Sequence, residues 1–548
     1  MRILVIGAVA AGTSAAAKAR RNDDSAEIII YEKDKDISYS GCGLPYYIGG
    51  EIEDIGELTP RDPIFFKKKY NIDVFTGFEV LKIDTENKEL IVKNIITNEV
   101  FKDKYDKLVI ATGAMAFVPN LSGINKDNVF FLRNVQSARN IRSFIEQRKP
   151  QNAVIAGTGF IGFEMLENLM ADGINVSIIE KQSKITPNLD EDMAAFLESA
   201  LLKKNISIIK NTGIVEVHED KVILEDGREV ASDMVIMATG VKPNIILAKE
   251  AGIEIGVTGA IKVNNKMQTN VEDVYSCGDC IETFSVITGK PVYRPLGSTA
   301  NKTGRIAGDV LSGGTLEYRG NLSTGIFKLF DMTIASTGLS EKEAIAQGYE
   351  IVTCHNIKLD KPDYFNGKEM LIKAIADKVT QKLLGVQIVG YEGVDKRIDV
   401  FVTLITYGAK VSDLFHLDLA YAPPFSTTKD PVHYTGMILD NALNNSRSII
   451  TAKDTQELVN RGEKIQIIDA RVNKQYDESH IIAAVNIPHS ELRKELATLD
   501  TDVLTITYCN KGVTGNAAQN ILINHGFKKV YNLSGGHKFY KASITKLK

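Results

Sequence analysis

Short, almost uninterrupted apolar runs recur along the first half of the chain, at Arg2 to Ile6, Ala26 to Tyr31, Lys107 to Ile110, Ala153 to Ala156, Val176 to Ile179 and Met234 to Met237. Runs this short and this apolar predict buried strands. Helices are expected over the Ala-rich stretch Thr13 to Arg21, and from Glu164 to Ala171. The result is the same strand, turn, helix, strand order twice. Alternating strands follow near Phe327, Leu371 and Leu384, with a helix over Ile398 to Tyr407. After a break at Asn441 to Ser446 a new pattern begins at Ile449, with strands over Ile465 to Ile468 and Leu504 to Tyr508 and a helix over Gly515 to His525.

The turn inside each repeat carries the chemistry. The first reads Gly7, Ala8, Val9, Ala10, Ala11, Gly12, and the second is an intact G-x-G-x-x-G from Gly157, Thr158, Gly159, Phe160, Ile161 and Gly162. Small residues there let a backbone approach a pyrophosphate at a helix N-terminus, and an acid at the end of the next strand, Glu32 or Glu180, accepts ribose hydroxyls. Val9 replaces the middle glycine of the first copy, so the second is the stronger signal. The pair predicts one flavin and one nicotinamide site.

A chain of 548 residues is too long for one core, since single cores stop growing at about 250 to 300 residues. A net charge of -4 gives no global attraction to nucleic acid or to an anionic membrane. The opening MRILVIGAVAAG reads as a strand and glycine turn rather than a secretion signal, and no apolar stretch of about 18 residues follows, so a cytoplasmic protein without a membrane span is expected. Five irregularly spaced cysteines do not describe a disulfide framework.

Ala111-Thr112-Gly113, Ala238-Thr239-Gly240 and the segment from Thr269 to Asp279 follow in turn. In that order the motifs resemble the two-dinucleotide flavoprotein disulfide reductases over residues 1 to about 445. The resemblance implies an α/β fold with two Rossmann-like dinucleotide-binding domains, for FAD and NAD(P), and an α+β dimerisation domain that forms a homodimer. The FAD domain would comprise 1–112 and 243–320, the NAD(P) domain 113–242 and the dimerisation domain 321–445. FAD would be held by Gly7, Ala11, Gly12, Glu32, Lys33, Thr112, Gly113, Gly278, Asp279 and Ala300, with Asp279 at the ribityl chain. NAD(P)H would be held by Gly157, Gly159, Phe160, Ile161, Gly162, Glu180 and Gly240, with NADH preferred because Glu180 repels a 2′-phosphate.

Cys42 lies in Ser38-Tyr39-Ser40-Gly41-Cys42-Gly43-Leu44-Pro45-Tyr46, just before an expected helix, where a thiol of lowered pKa is predicted. The positions four away on either side, Ser38 and Tyr46, are not cysteines, so this thiol has to cycle through a sulfenic acid, a persulfide or a mixed disulfide. The segment resembles the single-cysteine branch of the family. Its peroxidases and oxidases typically carry a histidine where Ala10 stands, which argues against that activity here. The first glycine turn, Pro295 to Lys302 and Ala420 to Ser426 resemble coenzyme A disulfide reductases and their persulfide-reducing relatives. That resemblance implies Tyr421 as a proton donor reaching the partner's cysteine across the dimer, Tyr364 as a second such tyrosine, and Arg21, Ser38, Lys67 and Lys68 as coenzyme A contacts. Gly41 stands where family members often have asparagine. Cys277 and Cys280 form C-x-x-C, but Gly278 and Asp279 between them are required at the flavin and nothing completes a zinc set, so no metal is expected.

From 449 to 548, Asp469-Ala470-Arg471, Tyr476 to His480 and Ala484 to Pro488 resemble the rhodanese family, an α/β domain whose sulfur-accepting cysteine would be Cys509. Many active rhodaneses carry arginine where Thr514 stands, and Lys511 is the nearby cation in the loop. Polysulfide or a coenzyme A persulfide is therefore expected to be a better donor than thiosulfate. Small thiols, persulfides and disulfides are the expected partners. A NADH oxidase or peroxidase, or a redox-sensing flavoprotein, are the alternatives.

Overall fold

The structure, a computed structural model, describes residues 1–544. The predicted C-terminal segment extends to 548, so its last four residues lie outside the described residues. The chain forms two compact units, one from Met1–Lys181 with Ile208–Asn321, the other from Gln182–Ser207 with Leu322 onward. Among the described residues no helix is long and apolar enough to cross a membrane.

The first unit contains two five-stranded sheets that follow the apolar runs. In one, Val274–Ser276, Lys107–Ile110, Arg2–Ile6, Glu27–Glu32 and Asp73–Thr76 lie in that order, all parallel. Ile3, Leu4 and Val5 in its centre have no exposed surface, and burying each such side chain contributes about 1.5–3 kcal/mol. The other sheet has the order Ser207–Lys210, Asn175–Glu180, Asn152–Ala156, Met234–Met237, Val129–Phe130. In both sheets the glycine turn leaves the end of a central strand, and a helix follows at once, Ala10–Asn22 in the first and Phe160–Ala171 in the second.

The second unit holds an antiparallel sheet ordered Gly325–Leu329, Met332–Gly338, Leu383–Gly390, Glu369–Asp377, Ile351–Leu359, with the helices Val394–Thr406 and Pro431–Asn444. It also holds the C-terminal parallel sheet Ile449–Ile450, Val530–Leu533, Leu504–Tyr508, Ile465–Asp469, Ala484–Asn486. The segment Gln182–Ser207 lies within the span expected for the nicotinamide domain but is grouped with this unit. A charge cluster ties the segment to the antiparallel sheet. Lys373 has no exposed surface and is surrounded by Asp192 at 2.7 Å, Glu341 at 3.0 Å and Asp190 at 3.1 Å. A buried ammonium needs such partners because the desolvation cost of each ion is several kcal/mol.

Candidate active site

Both glycine turns are built alike. Gly7 and Gly157 take φ values of 103° and 104°. A β-carbon would lie 2.3 Å from the Ala111 carbonyl oxygen at Gly7 and 2.5 Å from that of Ala238 at Gly157, so neither site admits another residue. Glu32 accepts from the Ala8 N–H at 2.8 Å and the Asp34 N–H at 3.0 Å. Glu180 accepts from the Thr158 N–H at 3.0 Å and hydroxyl at 2.5 Å. The two acids thus brace their own turns, and burial pushes the Glu32 carboxyl above the usual range.

Around the first turn the expected flavin residues converge. A β-carbon at Gly278 would meet that of Ala11 at 2.7 Å and that of Ala300 at 3.8 Å. Thr112 donates to the Asn244 carbonyl at 2.7 Å, and Gly113 accepts from the Asn244 N–H at 2.9 Å. Asp279 lies 3.4 Å from Arg133, and burial raises its pKa against that pairing. These close backbone approaches fit a dinucleotide, which Gly7, Ala11, Gly12, Gly278 and Asp279 would hold. Lys33 is exposed. In the second turn Gly159 caps the helix that Phe160, Ile161 and Gly162 begin, and Gly240, at φ 99°, follows the neighbouring strand.

Cys42 occupies a 3₁₀ turn, Gly41–Gly43, that runs into the five-residue helix Leu44–Ile48. The helix Val135–Arg148 fastens this loop. Its Arg139 pairs with Asp36 at 2.6 Å, Arg142 donates to the Tyr47 carbonyl at 2.6 Å, and Asn134 at its capping box donates to Asp34 at 2.9 Å. The Cys42 thiol is pushed up rather than down, first by desolvation, then by Glu164 and Asp279, with Arg133 opposing. This corrects the expectation of a lowered thiol pKa. The helix behind the cysteine has only five residues, and burial of the thiol dominates, with acids from distant segments adding to it. Glu164 is itself pushed up to about 7 by burial and by Glu167. Arg133 and Glu164 were not among the residues anticipated. Glu164 follows the second glycine motif by two positions, which is a usable signal, whereas Arg133 belongs to no motif.

Of the expected coenzyme A contacts, Arg21, Lys67 and Lys68 are exposed. Lys67 already pairs with Asp73 at 2.8 Å. Ser38 adopts φ 47° and its N–H donates to the Ala8 carbonyl at 2.9 Å, tying the cysteine loop to the first glycine turn. Cys277, Cys280 and Cys354 have no exposed surface, and burial holds all three thiols up, Cys354 at about 12. Tyr364 and Tyr421 lie in the second unit, 75% and 49% exposed.

Cys509, also in the second unit, follows the strand Leu504–Tyr508 and is 6% exposed. The Gly512 N–H donates to its sulfur at 3.2 Å just before the helix Val513–Asn524, and its carbonyl accepts from the His537 N–H at 2.8 Å. A cavity of about 420 Å³ opens here, lined by Arg471, Gln475, His489, Cys509, Lys511 and Thr514 among others. Arg471 forks onto Asp469 at 2.6 to 3.0 Å, which leaves its charge committed to the strand end.

Comparison with known proteins matches residues 1–300 to the family described as pyridine nucleotide-disulphide oxidoreductase, 325–431 to the dimerisation domain of that family, and 451–543 to the rhodanese-like domain. The chain is 37% identical to the NAD(P)H coenzyme A polysulfide/persulfide reductase of Pyrococcus horikoshii, over 80% of this chain and 98% of that one. It is 34% identical to the coenzyme A disulfide reductase of Staphylococcus haemolyticus, over 79% and 98%. Its fold is similar to that of reduced CoADR-RHD from Bacillus anthracis, with a TM-score of 0.97 at 36% identity, covering 100% of this chain and 98% of that chain. This chain belongs to the pyridine nucleotide-disulphide oxidoreductase family and carries a rhodanese-like domain at its C-terminal end.

Proposed function

We propose that the protein is an FAD-dependent NAD(P)H oxidoreductase that reduces coenzyme A disulfide, coenzyme A persulfide or polysulfide through Cys42, with sulfane sulfur handled at Cys509. One observation carries the reading. Cys42 is the single exposed cysteine, while Cys277 and Cys280, which share its unit, are fully buried. An exposed thiol with no accessible partner in its own unit forms its disulfide with the substrate. The Cys42 thiolate attacks one sulfur of coenzyme A disulfide, the S–S bond breaks, and one coenzyme A thiolate leaves with the electron pair. A mixed disulfide between Cys42 and the second coenzyme A remains. When bound, FAD supplies the two electrons, taken from NAD(P)H, that reduce such a bond.

The chain's own residues set up each stage. Glu32 and Glu180 shape the two dinucleotide turns, Asp279 stands at the flavin side, and Glu164 is a proton-holding carboxyl near neutral pH beside the thiol. Tyr421, with Tyr364, protonates the departing thiolate across a homodimer, which the match to a dimerisation domain and the exposure of both rings support. Arg21, Ser38 and Lys68 face coenzyme A. The FAD domain is divided as 1–112 and 243–320. Steady-state NADH oxidation by one sample with coenzyme A disulfide, coenzyme A persulfide, polysulfide and oxygen tests the reading. Turnover with oxygen alone would make the protein an oxidase instead.

A further inference from the structure

Two permanent cations line the Cys509 cavity, Arg471 and Lys511, and Thr514 lines it where many rhodaneses carry arginine. Each cation is met by a carboxylate. Arg471 pairs with Asp469 of its own strand end, and both are buried. Lys511, two residues beyond the cysteine, pairs instead with Glu369, which opens the strand Glu369–Asp377 of the antiparallel sheet and is distant in sequence. The other Glu369 oxygen takes Lys538. Lys538 lies in the first turn of the helix Gly536–Ile544, and its N–H donates to the Asn510 carbonyl at 3.0 Å, beside the His537 N–H on the Cys509 carbonyl. One carboxylate from outside the rhodanese-like domain thus grips the sulfur loop and the helix that supports it. Although burial would raise it, Lys511 and Lys538 hold the Glu369 carboxyl below the usual carboxylate range, so it is charged at neutral pH. The Glu369 and Lys511 side chains are 27% and 36% exposed, so this pair, unlike Asp469 and Arg471, can be altered without opening the core.

We propose that Glu369 is a specificity-determining residue for the sulfur site: by neutralising Lys511 at the wall of the Cys509 cavity it disfavours compact dianionic donors such as thiosulfate and reserves Cys509 for donors that bring a single negative charge to the reacting sulfur, such as a coenzyme A persulfide. The proposal rests on the reading of Cys509 as a sulfane acceptor. With thiosulfate, the Cys509 thiolate attacks the sulfane sulfur, the S–S bond breaks, and sulfite leaves with the electron pair. With a coenzyme A persulfide the same attack releases the coenzyme A thiolate. A Cys509 persulfide anion remains in both cases, total charge is conserved, and no external oxidant or reductant is needed. The difference lies in the encounter. A thiolate repels a dianion about twice as strongly as a monoanion at the same separation, and an unpaired ammonium on the cavity wall would offset that repulsion.

The test reads the electrostatic potential at Cys509 in the full-length holoenzyme. Alkylation of Cys509 by anionic iodoacetate and by neutral iodoacetamide is followed by peptide mass spectrometry, and the ratio of the two rates cancels changes in thiolate fraction. Glu369→Gln is expected to raise that ratio about threefold, the scale of one charge near a protein surface. Lys511→Gln should lower it by a similar factor, and Glu369→Asp, which keeps the charge, should stay near the parent. The kcat/KM for thiosulfate in cyanide-dependent thiocyanate formation should follow the ratio in direction, by at least the same factor. A merely structural role would change both alkylation rates together, so an unchanged ratio in Glu369→Gln overturns the proposal. If that variant loses flavin or melts early, Lys511→Gln decides, and an unchanged ratio there overturns it equally. A raised ratio with thiosulfate turnover still at the parent level overturns the specificity role. Thiocyanate formed by neither parent nor variants from thiosulfate or polysulfide, with the ratio shifting as expected, overturns the sulfane-acceptor reading instead.

Discussion

His355 donates from Nε2 to Asp192 Oδ2 at 2.7 Å, and the other ring nitrogen lies 3.1 Å from the Ser534 hydroxyl. The histidine side chain has no exposed surface. Three separate parts of the chain, the 182–207 segment, the antiparallel sheet and the rhodanese-like domain, therefore meet on one buried polar node that also contains Lys373. Two residues beyond Ser534, a β-carbon at Gly536 would lie 2.5 Å from the Cys509 carbonyl oxygen, so the node bears directly on the sulfur loop.

Lys373→Met should destabilise the second unit by about 3–5 kcal/mol, because it strands buried carboxylates. Chemical denaturation monitored by circular dichroism reads the loss, and a change under about 1 kcal/mol would show that the acids find other partners.

The same node sets a pH window. Lys373 and His355 hold the Asp192 carboxyl well below the ordinary aspartate range, although burial alone would raise it. A depressed folded-state pKa contributes stability that is present above the unfolded value, about 3.9, and is lost as pH falls below it. Lys373 is held above the ordinary lysine range by Asp192, Asp190 and Glu341 against desolvation. Its contribution is present below about 10.4 and is lost as pH rises past that. The contribution of this node to melting temperature should therefore be flat between the two limits and fall on the acid side. Asp192→Asn should flatten the acid limb, and an unaltered acid limb would place its origin elsewhere.

NADH should be preferred over NADPH by about tenfold or more in kcat/KM, roughly 1.4 kcal/mol of discrimination. Two lysines that follow Glu180 in sequence are engaged elsewhere, Lys181 with Glu225 at 2.8 Å and Lys184 with the Pro187 carbonyl at 3.2 Å. A higher kcat/KM with NADPH would contradict the assignment of Glu180.

Glu164→Gln should shift the alkaline rise of Cys42 alkylation to lower pH, since a neutral amide removes one of the negative charges that hold the thiol up. The pH profile of iodoacetamide labelling at Cys42 measures it. A shift to higher pH would mean that Glu164 acts as a hydrogen-bond partner and not as a charge.

How much of this was legible beforehand depends on the range of the interactions. The turns at Gly7 and Gly157, and the strands that lead into them, follow from local spacing and apolar runs. Cys509 and its helix also follow from contiguous residues, although the helix begins at Val513, two residues before the expected start. The acids around Cys42 could not be read this way. Burial of the thiol is the larger cause of its upward shift, and Glu164 and Asp279, which add to it, lie more than a hundred residues from the cysteine. Lys373 sits in a strand with no polar period to mark it.

Cys509→Ser should retain reduction of coenzyme A disulfide, which requires Cys42 and the flavin, while sulfur transfer from polysulfide falls sharply. NADH consumption with both substrates reads the difference. Equal losses on both would assign Cys509 a role in holding the fold, and full retention on both would remove it from the cycle.

The central claim is that electrons leave the protein through the Cys42 sulfur. Stopped-flow absorbance of Cys42→Ser tests it most directly, with NADH mixed first and coenzyme A disulfide second. The account predicts that NADH bleaches the flavin at close to the parent rate and that coenzyme A disulfide then fails to restore its colour, because serine is not a competent nucleophile toward sulfur. Reoxidation by coenzyme A disulfide at near-parent rate would contradict it.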